Sequence, residues 1–378
     1  SISTDGSATI TVQAKDEFGN NLTASGGTVV LSTTLGALTA VTDNTNGTYT
    51  ATLTSTNTGS ATISGSVAGN AITDTEVVTV TAGGASLTTS QVTAAPTSIT
   101  AGTNSTITVQ LRDASNNPLT AGAGTVELAV SGVGSVGAVT NNNDGTYTAT
   151  YTSNATGSAT ISATLNSQAI TDDASVTVTP AAVSAAQTTI TSNLASIVAG
   201  TNATITVQAK DQFGNNLTTS GGTVTLAVTG VGSVGTVTDN TNGTYTATYT
   251  SNATGSATIT GTIAGNNITD DESITVTPAA ISASTTTVSA SVSPITASNG
   301  ASTTTITVTA RDQFSNLISG ATVALASTGT GNAFAAASGS TDGSGVFSTT
   351  FSSTVAESKT ISATVNSVAI TQTAAVTV

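Results

Sequence analysis

Residues 237–261, VTDNTNGTYTATYTSNATGSATITG, decide the fold, because the chain writes this run again at 41–65, at 139–163 and, loosely, at 341–363. Tyr245, Ala247 and Tyr249 alternate with Thr244, Thr246, Thr248 and Thr250; after Gly255, Ala257 and Ile259 alternate with Ser256, Thr258 and Thr260. A period of two sends apolar groups to one face and hydroxyls to the other, so the run predicts two neighbouring, half-buried strands. Asn46-Gly47, Asp144-Gly145, Asn242-Gly243 and Asp342-Gly343 open the Tyr or Phe strand with residues that tolerate positive φ.

Two landmarks measure the repeat. Asp16, Asp113, Asp211 and Asp312 follow Lys15, Arg112, Lys210 and Arg311 at spacings of 97, 98 and 101, and Tyr49, Tyr147, Tyr245 and Phe347 at 98, 98 and 102. A period near 98 is too long for a solenoid unit and long enough for a closed core, so four tandem domains are expected. Their bounds are 1–82, 83–180, 181–278 and 279–378, the last divergent. In the second, strands are predicted at 88–93, 105–111, 124–130, 138–140, 146–152, 158–165 and 169–179. Ile107, Val109, Leu111, Val126, Leu128, Tyr147, Tyr151, Ile161, Leu165, Val176 and Val178 would point inward. Short strands between regular turn clusters predict an all-β chain of immunoglobulin-like Greek-key β-sandwich domains. Linkers of a few residues, two with Pro180 or Pro278, predict an elongated rod of roughly 40 Å per domain. Domain 1 is the exception: Ser1-Ile2 corresponds to Ser98-Ile99, so its first strand has no counterpart. That predicts either a segment of a longer array or a strand position open to another chain.

Composition narrows the function. Charged residues are 6% of the chain against roughly 25% in an average soluble protein, so hydroxyls and amides must make the surface. Five basic against 19 acidic residues, a net charge of −14, argue against nucleic acid and anionic lipid. Cys and His are absent, which excludes disulfides, thiolate zinc sites and the common catalytic triads. No apolar run is long enough for a membrane span.

The run Ala209-Lys210-Asp211-Gln212-Phe213-Gly214-Asn215-Asn216-Leu217 is followed by Gly222-Thr223-Val224, Asn242-Gly243-Thr244-Tyr245 and Gly255-Ser256-Ala257-Thr258-Ile259. Together they resemble the bacterial immunoglobulin-like domains of invasin- and intimin-type adhesins, with a more general likeness to filamin-type repeats around the Gly-Thr-Tyr turn. Domain 2 departs from the pattern at Ala114-Ser115, and domain 4 loses the glycine at Ser315 and rearranges residues 329–342. The resemblance implies stalk domains, with receptor binding in a terminal domain that these residues do not include.

Motifs that could carry chemistry are each weighed against a structural role. Residues 132–137 and 230–235 satisfy GxGxxG, but strand-and-turn sequence follows where a dinucleotide site needs a helix. Asp172-Asp173 and Asp270-Asp271-Glu272, read as strand residues, would face opposite ways and could not share a substrate bond. Calcium is the one cofactor the sequence admits, none being required: Asp113, Asn116, Asp144, Asp211, Asn215 and Asp239 are oxygen donors in loops expected at domain junctions, although Asp and Asn are also ordinary turn residues. The base before each landmark Asp is expected to pair locally at the loop edge. Sequons stand at Asn21, Asn46, Asn104, Asn154, Asn202, Asn216, Asn242, Asn252 and Asn267, many expected by chance in so Thr-rich a chain.

No catalytic or cofactor-binding residue emerges. The chain reads as a non-catalytic, extracellular, cell-surface stalk whose partners are neighbouring immunoglobulin-like domains, with any host receptor bound elsewhere. The alternative is a self-assembling filament, sheath or S-layer subunit, a homo-polymer built by strand complementation or lateral packing.

Overall fold

The computed structural model describes residues 1–378, and all its regular structure is strand. The chain forms two compact units, Ser1–Ala181 and Ala182–Val378, each containing two sandwiches. No helix is long and apolar enough to cross a membrane.

Domain 2 shows the plan. One sheet runs Gln91–Ala95, Asn104–Gln110, Thr146–Thr152, Ser135–Val136, with Thr140–Asn141 also on the tyrosine strand. The facing sheet runs Ser98–Thr100, Ala174–Thr179, Gly157–Leu165, Val126–Gly132, with Gln168–Ala169 beside the third. All pairings are antiparallel except Ser98–Thr100 with Ala174–Thr179. Of the predicted inward residues, Leu128 is half-buried and the others are buried; Val92, Ile99, Ala101, Ala159, Ala163 and Ile170 join their core.

Two predicted strands divide. Residues 86–90 form a turn because Ser90 donates from both N and Oγ to the Ser86 carbonyl and accepts from the Arg112 N–H, so the first strand begins only at Gln91. Beyond Pro96, which cannot donate to a ladder, the chain crosses to the other sheet at Ser98. The strand expected at 169–179 breaks into Gln168–Ala169 and Ala174–Thr179, and Asp172 and Asp173 lie in the break. The Asp172 carboxylate accepts the Val92 N–H at 2.8 Å, and Asp270 accepts the Ile190 N–H at the same distance. These acids therefore fasten the first strand to the opposite sheet, and Asp172 and Asp173 are not neighbours within a strand.

Buried tyrosines tie loops to the core. Tyr147 donates to the Gly124 carbonyl at 2.8 Å and Tyr151 to that of Val133 at 2.6 Å; Tyr245 and Tyr249 repeat this on Gly222 and Val231. The GxGxxG glycines serve the same turn. A side chain on Gly134, at φ 83°, would meet the Tyr151 hydroxyl at 2.6 Å, and one on Gly132 would meet the Ser158 carbonyl at 2.2 Å. No helix follows them.

Domains 1 and 4 depart from the plan. Domain 1 pairs Ala8–Gln13 only with Thr48–Thr54. Its core is divided, Ile10, Leu53, Ala61, Ile63 and Val78 apart from Ala14, Val29 and Tyr49, where each other domain has one continuous cluster. In domain 4 both tyrosines are phenylalanines, Phe347 and Phe351. Phe334 packs on Phe351 with ring centroids 4.9 Å apart, and Ser338–Ser340 joins the sheet of Thr322–Ser327. Without hydroxyls to hold the loop, aromatic contact does so. Buried Lys359 adds to it, donating to the Thr330 carbonyl and pairing with Glu357.

Candidate functional site: the joints between repeats

The landmark Asp opens the same tight loop in every domain. In domain 2, Asp113 Oδ1 accepts the Asn117 N–H at 2.8 Å, and the loop turns at Asn116 with φ 68°. Gly19, Gly214 and Ser315 take this left-handed position elsewhere, so Asn116 and Ser315 preserve the turn that the missing glycine seemed to break.

Within Ser1–Ala181 this loop closes the joint between domains 1 and 2. Thr4 Oγ1 donates to Asp113 Oδ2 at 2.6 Å, and the Gly83 N–H donates to both Thr4 Oγ1, at 2.9 Å, and Asp113 Oδ2, at 3.1 Å. The Asn117 amide donates to Asp113 and, at 2.8 Å, to the Thr56 carbonyl of domain 1. Asp113 is 1% exposed. Burial alone would raise its carboxyl pKa; hydrogen bonds from Thr4, Asn117 and the Asn117 and Gly83 backbone outweigh burial and bring it down to about 2.

Within Ala182–Val378 the loop of domain 4 meets domain 3 differently. Asp312 Oδ2 accepts the Ala279 N–H of the linker at 2.9 Å, and Asn316 donates to the Asn252 carbonyl at 2.7 Å while accepting the Thr254 N–H at 3.1 Å. No hydroxyl reaches the carboxylate from domain 3; instead Phe314 lies against the core of domain 3. It rests over Gly200, where an added Cβ would come within 2.5 Å of the ring. In the other joint Ser115 holds the Phe314 position and Asp5 that of Gly200. Asp312, too, is buried, which raises its pKa, and hydrogen-bonded by Asn316 and the Ala279, Asn316 and Phe314 backbone, which lowers it to a net depression.

The six residues considered for calcium do not form one cluster, and no group of three acidic side chains is placed to hold a metal. Asp113 faces N–H and O–H donors, the reverse of what a cation requires. Asn116 contributes the turn, its carbonyl accepting Arg112 Nη1 at 3.0 Å. Asp144 accepts the Thr146 N–H and hydroxyl within its own turn, Asp239 accepts the Thr241 N–H, and Asp211 accepts from Phe213 and Asn215 within its own loop. The bases before the Asp were expected to form ion pairs. Arg112 and Arg311 instead donate to loop carbonyls, because the carboxylates turn inward, and the one ion pair is Lys359 with Glu357. Sequence reasoning missed Thr4, Gly83, Phe314 and Gly200; the paired exchange of Phe314/Gly200 for Ser115/Asp5 was the available signal.

Four tandem sandwiches, the first three with a parallel edge pairing, and carboxylate-held joints between domains 1 and 2 and between domains 3 and 4 define tandem immunoglobulin-like repeats. The family described as invasin, domain 3, matches residues 1–83, 86–181 and 184–279, and the chain belongs to it; bacterial Ig-like domain (group 1) matches 284–378. The Escherichia coli adhesin FdeC is similar at 25% identity over 78% of this chain and 98% of that one, TM-score 0.55. InvD of Yersinia pseudotuberculosis is 25% identical over 78% of this chain and 97% of its own, TM-score 0.47. Invasin, a bacterial integrin-binding protein, is 22% identical over 99% and 76%, TM-score 0.46. No curated protein matches the chain.

Proposed function

We propose that these repeats are a non-catalytic spacer of an extracellular bacterial surface adhesin, holding a binding region outside residues 1–378 away from the cell. The observation that carries this reading is the joint: buried Asp113 and Asp312 each bind the linker of the preceding domain, so domain 1 is fastened to domain 2, and domain 3 to domain 4, rather than loosely tethered. The likeness to FdeC supports it. With only 6% charged residues and neither Cys nor His, the surface is rich in hydroxyls and amides. Displayed on bacteria beneath an epitope tag, the chain should expose the tag to a bulky antibody, and deleting domains 2 and 3 should reduce that exposure. The purified chain should not bind cultured host cells; saturable binding would move the receptor site into these repeats and overturn the spacer role. Calcium or chelator should leave the melting temperature unchanged, because the joint carboxylates are already engaged by donors. A rise with calcium would reassign the joints to a cation.

A further inference from the structure

Domain 4 rebuilds one end of its interior with three linked exchanges. By strand register, Phe351 stands where domain 2 has Tyr151, Lys359 where it has Ala159, and Asn332 where it has Gly134. In domain 2 the tyrosine hydroxyl fills this place: it donates to the Val133 carbonyl, and a side chain on Gly134 would strike it at 2.6 Å. Domain 3 repeats the arrangement with Tyr249, Val231 and Gly232. Phe351 has no hydroxyl, and Lys359 Nζ takes over its bond, donating at 2.6 Å to the carbonyl of Thr330, the counterpart of Val133. The same exchange makes room for a side chain at the glycine position, and Asn332 fills it.

The amine and the amide come from opposite sheets and converge on one loop. Asn332 lies on Asn332–Phe334, which pairs with Val346–Ser353; Lys359 lies on Ser358–Val365 of the facing sheet. Asn332 shares a strand face with Phe334, whose ring packs on Phe351, and Lys359 is fully buried. Asn332 Nδ2 donates to the carbonyls of Thr328 at 3.0 Å and Gly329 at 3.2 Å, while a Cβ on Gly329 would stand 2.8 Å from Lys359 Nζ. Asn332 Oδ1 is buried and has no hydrogen-bond partner, a costly state for an amide oxygen. Beside the amine, Glu357 pairs with Lys359 and accepts the Thr330 N–H at 3.1 Å; its side chain is 40% exposed and so connects the site to water.

We propose that Lys359 and Asn332 condense into a side-chain amide that joins the two sheets of domain 4. Glu357 takes a proton from the Lys359 ammonium, and the freed electron pair on Nζ attacks Asn332 Cγ. A proton passes from the attacking nitrogen to Nδ2, the Cγ–Nδ2 bond breaks as the carbonyl re-forms, and ammonia leaves. It collects the proton held by Glu357 and departs as ammonium, so one ammonium ion and one amide replace one lysine ammonium and one asparagine. No further reactant is needed, and one turnover per molecule suffices. The gain is physical as well as mechanical: a charge buried between the sheets is exchanged for a neutral group. This inference stands on the interior of domain 4 and does not depend on the spacer reading.

The test is the mass of the whole purified chain, measured after denaturation. It should be lower than the sequence mass by one ammonia, and trypsin should fail to cut the denatured chain after Lys359, leaving a branched peptide that contains both residues. Lys359→Arg, which keeps the charge but cannot form the amide, should restore the full mass expected for its sequence. Asn332→Ala should do the same and leaves the lysine in place, which covers a failure of the arginine variant to fold. Glu357→Gln should slow the loss of ammonia at least about tenfold, and an unchanged rate would overturn the role given to the carboxylate. A folded chain that keeps its full sequence mass and is cut after Lys359 would overturn the cross-link. So would a loss of ammonia that persists in Lys359→Arg, which would assign it to ring closure at Asn46-Gly47 or Asn242-Gly243.

Discussion

The joint between domains 1 and 2 and that between domains 3 and 4 use the same loop and the same buried aspartate, yet close by different physics. The first is polar: Thr4 and Gly83 donate to Asp113 across the junction, and Ser115 and Asp5 occupy the positions flanking it. The second keeps one linker N–H on Asp312 and sets Phe314 over Gly200. The carboxylate and the linker N–H are common to both joints, whereas the hydroxyl of one is replaced by a ring packed on a glycine in the other, so the loop leaves the means of closing the joint free.

The aromatic joint is the easier to break. Gly200 sits at φ 86°, and Gly200→Ala would drive its Cβ to within 2.5 Å of the Phe314 ring. Left-handed strain and overpacking together should cost about 3 kcal/mol. Limited proteolysis in the linker should accelerate, and the denaturation midpoint of the 182–378 unit should fall. Adding Phe314→Ser, which copies the Ser115 arrangement, should restore most of the overpacking part but not the backbone strain. A double mutant no better than Gly200→Ala alone would show that the ring is not what the glycine accommodates.

Next in size is the polar joint. Asp113→Asn replaces an acceptor-only group with one that turns an amide toward donors, and should cost about 2 kcal/mol. Asp312→Asn should cost less, because Phe314 still closes that joint. The acid dependence follows from the depressed pKa of Asp113. Its contribution is present in full above the ordinary carboxylate range near pH 4, and is lost as pH falls through about 2. Asp312 is shifted in the same direction, so both joints weaken in acid. Melts of the wild type and Asp113→Asn should therefore converge as pH is lowered from about 4 to 2; a constant gap would mean that the hydrogen bonds do not depend on the ionised form.

How far the sequence revealed all this depends on the range of each contact. The Gly-Thr-Tyr strands, the inward set from Ile107 to Val178 and the recurrent Asp loop were legible because period and turn chemistry are local. The split first strand was harder to read, since its register is set by Ser90 and Asp172, the latter bonding a residue 80 positions away. Asp113 stood out as a landmark, but composition reports only that it offers oxygen. Whether those oxygens meet a cation or a donor is decided by Thr4, 109 residues earlier. The pairing of Phe314 with Gly200 had no local mark at all. It becomes visible only when two copies of the repeat are compared position by position.

The smallest change sharpens the comparison most. Domains 2 and 3 carry buried alanines, Ala101 and Ala199, where domain 1 carries Thr4, so the hydroxyl is dispensable for the fold and specific to this joint. Thr4→Ala removes a donor to Asp113 and an acceptor for Gly83, but Gly83 N–H still reaches Asp113 Oδ2 at 3.1 Å. The loss should thus stay near 1 kcal/mol, below that of Asp113→Asn. Thr4→Ser should be nearly neutral, whereas Thr4→Val, which keeps the shape and presses a methyl on a buried carboxylate, should cost more than Ala. Because the Thr4 hydroxyl is the foremost group holding the Asp113 pKa down, Thr4→Ala should raise it from about 2 toward the ordinary range, read by NMR titration of the side-chain carboxyl. An unchanged pKa would place the stabilisation in Asn117 and the linker backbone instead, and would make the polar joint, like the aromatic one, chiefly a matter of fit.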